Sequence, residues 1–305
     1  MYSHYDQKKS SAKDRHLSLD VVGGKEAISE ALTIQAAVAI LEDQGHADLT
    51  VYINSLGDKD AFTAFETSLR EYVRNNITQL SPACQELVKS SPLGLYVCTC
   101  GVCQAVLENA PKPIQFLNEE SRKRFIELIE FLDQLQINFI IDETLINDRH
   151  YCADSIFEIR SADGTVLSQG HRQDDLVGRV GYRRELPHVE ASVSLPSLKM
   201  LSQKKVTAVK NPNIFFVHLG KDARIKSLSA IERLRKNEIA VKHMLTETTC
   251  RPQMLEAEES KSRYIFVMGI KEALENSVLL RDTEKHSQAT VRLPDITRVA
   301  KRLKL

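Results

Sequence analysis

Leu49-Thr-Val-Tyr-Ile-Asn-Ser-Leu-Gly-Asp58 sets the pattern of the chain. Leu49 to Ile53 reads as a strand, Asn54-Ser-Leu-Gly57 as the turn leaving it, and Asp60 to Leu80 as a helix with Phe62, Phe65, Leu69 and Tyr72 on one side. Upstream, His16-Leu-Ser-Leu-Asp-Val-Val22 alternates as a strand and stops at Gly23-Gly24. The spacing of Ile28, Leu32, Ala36, Ala39 and Ile40 then predicts a helix over Glu26 to Asp43 with that row buried and Gly45 as its stop. Downstream, Glu119 to Leu135 is amphipathic, Asn138 to Asp142 and Ile156 to Ile159 are strands, and Ala162-Asp-Gly-Thr165 is a hairpin turn. The fold class is α/β in the α+β sense: a mixed, largely antiparallel sheet with helices.

Two segments depart from this rhythm. Residues 81–113 carry four prolines and only short helical pieces, and read as an irregular excursion. Gly170 to Glu185 carries four arginines and little apolar content, which fits a loop lining a site better than a core hairpin. Beyond Asn211-Pro-Asn213 a second, smaller α/β module begins. Ile214 to Val217, Ala240 to Met244 and Tyr264 to Val267 are its strands, Ala223 to Lys236 and Gln253 to Ser260 its helices, Val278 to Leu280 and Ala289 to Arg292 extend the sheet, and Asp295 to Leu303 closes it. The organisation is therefore a polar tail (1–15), a first domain (16–203), a linker (204–211) and a second domain (212–305).

The 305 residues balance 41 Lys and Arg against 41 Asp and Glu, but not evenly: residues 205–305 hold 20 basic against 12 acidic side chains. A basic module on an acidic body suits a polyanion ligand. Its candidate contacts are Arg224, Lys226, Arg233, Arg235, Lys236, Arg251, Arg281 and Arg292; the aromatics Phe215, Phe216, Tyr264 and Phe266 fall in strands and offer no evident stacking platform. No apolar run approaches the ~18–20 residues of a membrane span, and the polar start is no signal core, so a cytoplasmic protein is expected. Of six cysteines, Cys84, Cys98, Cys100 and Cys103 crowd together, and their thiolates form a candidate tetrahedral zinc site; buried free thiols are the plain alternative.

Three ordered segments resemble the histidine-tRNA ligases, a class II synthetase family. Val51-Tyr-Ile-Asn-Ser-Leu-Gly-Asp58 resembles the family's "inNSlGd" turn; Ser91-Pro-Leu93, Cys98 and Ala110-Pro111 resemble "NPLRiLDcK…AP"; Leu145 through Ile159 is similar to a pattern near "LVRGLDYYtrTvFE". With a C-terminal module like the class II anticodon-binding domain, the resemblance spans nearly the whole chain. It implies a class II synthetase-like first domain and a second domain that reads an anticodon.

The same resemblance implies losses. The family's catalytic Arg stands where this chain has Asn147, with Arg149 two positions on; the ATP-stacking Arg of the third motif falls on Ser197; and only fifteen residues precede His16, too few for the first motif and the second motif's Arg. A shifted guanidinium loses most of its effect on a transition state. The histidine-pocket element, roughly Gly-Gly-Arg-Tyr-Asp, survives partly as Gly170-His171-Arg172-Gln173-Asp174. Tyr151, Arg172 and Asp174 remain pocket candidates, with Glu158 as a binding or structural carboxylate, and His150 and His171 as substitutions of the family pattern.

The expectation is a paralogue without aminoacylation that binds tRNA or a partner protein, with ATP not expected as a ligand and a homodimer as one oligomeric option. The rivals are an active or split histidine-tRNA ligase, and a relative of the regulatory subunits of ATP phosphoribosyltransferase.

Overall fold

The computed structural model describes residues 16–147, 153–174, 186–195 and 213–303. They divide into two compact units, residues 16–129 with 137–195 and residues 130–136 with 213–303. No helix among the described residues is long and apolar enough to cross a membrane. Expectations for Arg149, His150, Tyr151, Cys152, Ser197, residues 175–185 and the linker 204–211 lie outside the described residues.

The first unit is built on a six-stranded sheet in the order β1-β6-β5-β4-β2-β3. Its strands are β1 (His16–Val22), β2 (Thr50–Ser55), β3 (Phe139–Ile141), β4 (Ala153–Arg160), β5 (Val166–Arg172) and β6 (His188–Ser194). Every neighbouring pair is antiparallel except β2 and β3. The mixed, antiparallel-rich sheet read from the sequence is thus present, and the turn between β4 and β5 is made by Gly164 at φ 84°.

Helix α1 (Ile28–Asp43) lies against β1, β5 and β6, but not by the face the spacing predicts. Ala27, Ile28, Ala31, Ile34, Ala37 and Leu41 are buried, whereas Ala36 is exposed and Leu32, Ala39 and Ile40 are only partly covered. The helix is apolar nearly all round, so its own periodicity does not select a side. Gly170–Arg172 also correct the sequence reading: they are the buried end of strand β5, not a loop.

The Asn54–Asp58 turn earns its residues by local bonding. The buried Asn54 amide donates to the Leu145 carbonyl at 2.9 Å, Gly57 sits at φ 72° where a Cβ would collide with Ala61 and Leu117, and Asp58 accepts from the Ala61 N–H at 2.8 Å to cap α2 (Lys59–Asn76). Ala61, Phe65, Leu69 and Val73 form the buried stripe of α2.

The excursion after α2 is more ordered than its composition suggests. It forms α3 (Pro82–Ser90), α4 (Gly94–Val97) and α5 (Gly101–Glu108), which share a core with α2. Tyr72 donates to the Val106 carbonyl at 2.8 Å, Tyr96 to the Pro111 carbonyl, and the Tyr96 ring meets Phe65 edge-on at 5.8 Å. After it, α6 (Glu119–Gln134) leads to β3.

The second unit holds a five-stranded sheet, β11-β10-β9-β7-β8, from β7 (Ile214–His218), β8 (Lys242–His243), β9 (Tyr264–Met268), β10 (Ser277–Asp282) and β11 (Ser287–Arg292). β7 pairs in parallel with β8 and β9, and β10–β11 adds an antiparallel hairpin. Its helices are α7 (Lys221–Lys236), α8 (Cys250–Glu259), α9 (Ile270–Leu274) and α10 (Ile296–Arg302). Strand side chains alternate between two cores: Ile214, Phe216 and Phe266 meet α7, while Phe215, Val217 and Ile265 meet Ala257 of α8. The strand expected over Ala240 to Met244 is limited to Lys242–His243.

Gly170 is the tightest point of the first sheet. A Cβ there would collide with the Phe157 ring on β4 and approach the Glu190 carbonyl oxygen to 2.5 Å. Gly170→Ala is expected to cost about 1–3 kcal/mol through overpacking, read as a lower urea midpoint with an unchanged slope; an unchanged midpoint would contradict this packing.

Candidate functional site

The pocket element inherited by β5 is organised around Arg172. Its side chain is fully buried, and its Nη1 lies 3.0 Å from Glu30 Oε1 on α1. Its Nε pairs with Asp174 at 2.9 Å, and its Nη2 donates to the carbonyls of Gly24 and Lys25 at 3.0 and 3.2 Å. Ser155 on β4 adds a hydroxyl donor to Glu30 at 3.1 Å. Burial pushes the Glu30 carboxyl upward while Arg172 pulls against it. Burial also opposes the Arg172 charge, but Glu30 and Asp174 outweigh it and hold the guanidinium protonated. Asp174 is the one partly exposed member, and it sits with Arg172 on a cleft of about 500 Å³ that Lys25, Lys123 and Arg124 also line.

Beside this cluster stands a second network that sequence reasoning missed. Arg124 on α6 pairs with Asp154 at 3.1 Å, Ser121 donates to Asp154 at 2.5 Å, and Arg124 donates to the Lys25 carbonyl. Just past the end of β5, the buried Gln173 amide donates to His188 Nδ1 at 2.9 Å, which places the His188 proton on Nε2, 2.8 Å from Asp20. His171 is buried in β5, and Asn147 lies past the buried Leu145. Glu158 is committed to its own sheet: one oxygen accepts from Arg160 at 2.7 and 2.9 Å, the other from Gln169 at 2.7 Å.

The structure draws the four clustered cysteines together. All four sulfurs lie within 4.8 Å of one another, with Cys84 Sγ 3.4 Å from both Cys98 and Cys100. The Cys103 N–H directed at Cys100 lowers that thiol to about 7, whereas burial pushes the Cys103 thiol up.

The eight basic candidates of the second unit separate into two groups. Arg224, Lys226, Arg233, Arg235 and Lys236 all belong to α7. Arg224 is buried, Lys226 donates to the Ala273 carbonyl at 2.6 Å, Arg233 to that of Leu293 at 3.1 Å, and Arg235 and Lys236 pair with Glu232 at 2.7 and 3.7 Å. Arg251, Arg281 and Arg292 are exposed and make no ion pair among the described residues. The register pairs Arg281 with Ile265 and Arg292 with Ser277, so both arginines stand on the sheet face that α8 packs against. Arg251 lies in the first turn of α8 itself. Phe215, Phe216, Tyr264 and Phe266 are buried, as their strand positions imply.

The missed residues left faint signals. Glu30 is the one carboxylate on the buried face of α1, where a charge needs a buried cation; nothing in the local sequence says that the cation is Arg172, 142 positions away. Removing one partner of such a pair strands the other charge. Arg172→Met is expected to destabilise the fold by about 3–5 kcal/mol, and Glu30→Leu with Arg172→Met to recover most of that loss. Chemical denaturation of the two variants checks this; a single-variant loss below about 1 kcal/mol, the level of an exposed pair, would contradict it.

Residues 214–303 match the Anticodon binding domain family. The histidine--tRNA ligase of Bacillus subtilis (strain 168) is 27% identical over 291 residues, covering 93% of this chain and 68% of the relative. That of Prochlorococcus marinus (strain MIT 9515) is 28% identical over 298 residues, with 94% and 68% covered. Among solved structures, apo S. aureus histidyl-tRNA synthetase aligns with a TM-score of 0.47 at 20% identity, over 94% of this chain and 72% of that one. The chain is thus similar to the histidine--tRNA ligases over most of its length, and its residues 214–303 match the Anticodon binding domain family.

Proposed function

We propose that this histidyl-tRNA synthetase-like chain binds tRNA through its second unit and does not charge it. The observation that carries the loss of charging is Arg172: the guanidinium retained from the pocket element is buried and occupied by Glu30, Asp174 and two backbone carbonyls. An arginine in that position has little charge left to offer a carboxylate or a phosphate. Activation of an amino acid places negative charge on phosphate oxygens, and pre-placed cations are what lower that barrier. Asn147, at the position where the family pattern has its catalytic Arg, has no charge to contribute.

The second unit supplies the binding reading. Arg251, Arg281 and Arg292 give the α8 side of its sheet exposed positive charge, suited to the phosphates of an RNA loop. The buried aromatics leave edge contacts and phosphate attraction as the means of recognition rather than stacking. On this reading the chain acts as a tRNA-binding or regulatory paralogue within the cell's translation machinery.

The test is a titration of tRNA onto the purified chain at two salt concentrations. Binding is expected to weaken as salt rises, without any charging of that tRNA when histidine and ATP are added. Replacing Arg251, Arg281 and Arg292 together by Ala should reduce the slope of log affinity against log salt by about 2, at roughly 0.7 per phosphate contact on a single strand, with an unchanged melting temperature. Salt-independent binding, or an unaltered slope in the triple variant, would overturn the assignment.

A further inference from the structure

We propose that Cys84, Cys98, Cys100 and Cys103 hold a structural zinc ion that fastens the α3–α4–α5 excursion. The four ligands come from three separate pieces of chain. Cys84 is in the first turn of α3, Cys98 follows the last residue of α4, Cys100 caps α5, and Cys103 lies in its first turn. The spacing, Cys-x13-Cys-x-Cys-x2-Cys, is too irregular to have indicated a tetrahedron by itself.

Sulfur geometry supplies what spacing does not. In a tetrahedral site with Zn–S of about 2.3 Å, neighbouring sulfurs stand about 3.8 Å apart. Here Cys84 lies 3.4 Å from Cys98 and from Cys100, and no pair among the four exceeds 4.8 Å. A disulfide needs about 2.05 Å. It would also join only two of the four sulfurs, whereas all four converge on one point.

The surroundings suit thiolates. The Cys103 N–H points at Cys100 Sγ at 3.4 Å, and α3 and α5 both begin at the cluster, so the positive ends of two helices lie beside the sulfurs. Cys100 at the N-cap of α5 and Cys103 in its first turn bring two of the sulfurs to the same end of that helix. Four thiolates leave no open coordination position, so the ion would do no chemistry.

The excursion has reason to need such a clasp. Its helices are 9, 4 and 8 residues long, each below the length at which a helix holds in water without tertiary support. Cys84 and Cys103 are buried in the core shared with Phe65, Leu69 and Leu95, while Cys98 and Cys100 lie at its margin. A metal at that margin would link the three helices to each other and hold them on α2. Binding free energy in such a site is folding free energy.

The experiment uses the full chain, purified under reducing conditions without chelator, with its metals measured by mass spectrometry and its thiols counted with a colorimetric reagent. We expect one zinc per chain, and four of the six cysteines protected until a chelator removes it, with a fall in melting temperature on removal. Cobalt in place of zinc should give sulfur-to-metal charge-transfer bands and the visible spectrum of a tetrahedral ion. Cys100→Ser, at a half-buried position where folding does not depend on the side chain's volume, should weaken metal retention at least tenfold. Metal-free protein that also fails to take up zinc on reconstitution, disulfides among these cysteines, or iron in place of zinc would each overturn the proposal.

Discussion

The buried contact between Arg172 and Glu30 is the constraint from which the first unit's architecture and its functional reading both follow. Withdrawing either charge from water costs several kcal/mol, so neither side chain belongs in the interior without the other. Arg172 ends β5 and Glu30 lies in the first turns of α1, so their pairing ties the helix to the sheet across 142 residues of chain. The carbonyls of Gly24 and Lys25 close the remaining side and fix the approach of the chain into α1. An arginine used in this way is a structural element. Its neighbour Asp174 retains some exposure to the cleft, but the guanidinium beside it is already neutralised.

Much of this fold was legible in the sequence. β1, the β4–β5 turn, the face of α2 and the strands of the second unit follow directly from alternation, helical spacing and turn residues. The face of α1 was not legible, because a helix apolar on every side gives no period to read, and the sheet chose the Ile28, Ala31, Ile34 and Leu41 side. The order in the excursion was underestimated for a related reason. Short helices broken by proline carry weak local signals, and α3 to α5 are specified by contacts with α2 such as Tyr72 to Val106. β8 pairs with β7 only at Lys242 and His243, opposite Phe215 and Phe216.

The candidate site was legible only as a set of residue types. Sequence order brought Arg172 and Asp174 together, and the structure pairs them, but it gave no sign of Glu30 or of the Arg124–Asp154 link. Nor did it separate the eight basic residues of the second unit. Composition counts a charge wherever it lies, whereas the fold engages Lys226 and Arg233 with backbone carbonyls and Arg235 and Lys236 with Glu232, and leaves Arg251, Arg281 and Arg292 exposed on the α8 side with no ion pair among the described residues. The cysteines are the opposite case: crowding in the sequence was readable, and the convergence of four sulfurs required three helices to be placed first.

On the proposed function, the retained pocket holds the fold rather than activating an amino acid. Histidine-dependent exchange of labelled pyrophosphate into ATP reads that activation step alone, without tRNA. The account predicts exchange no greater with histidine than without it, from protein shown to be folded by its thermal transition. Exchange that rises with histidine to synthetase-like rates would contradict it.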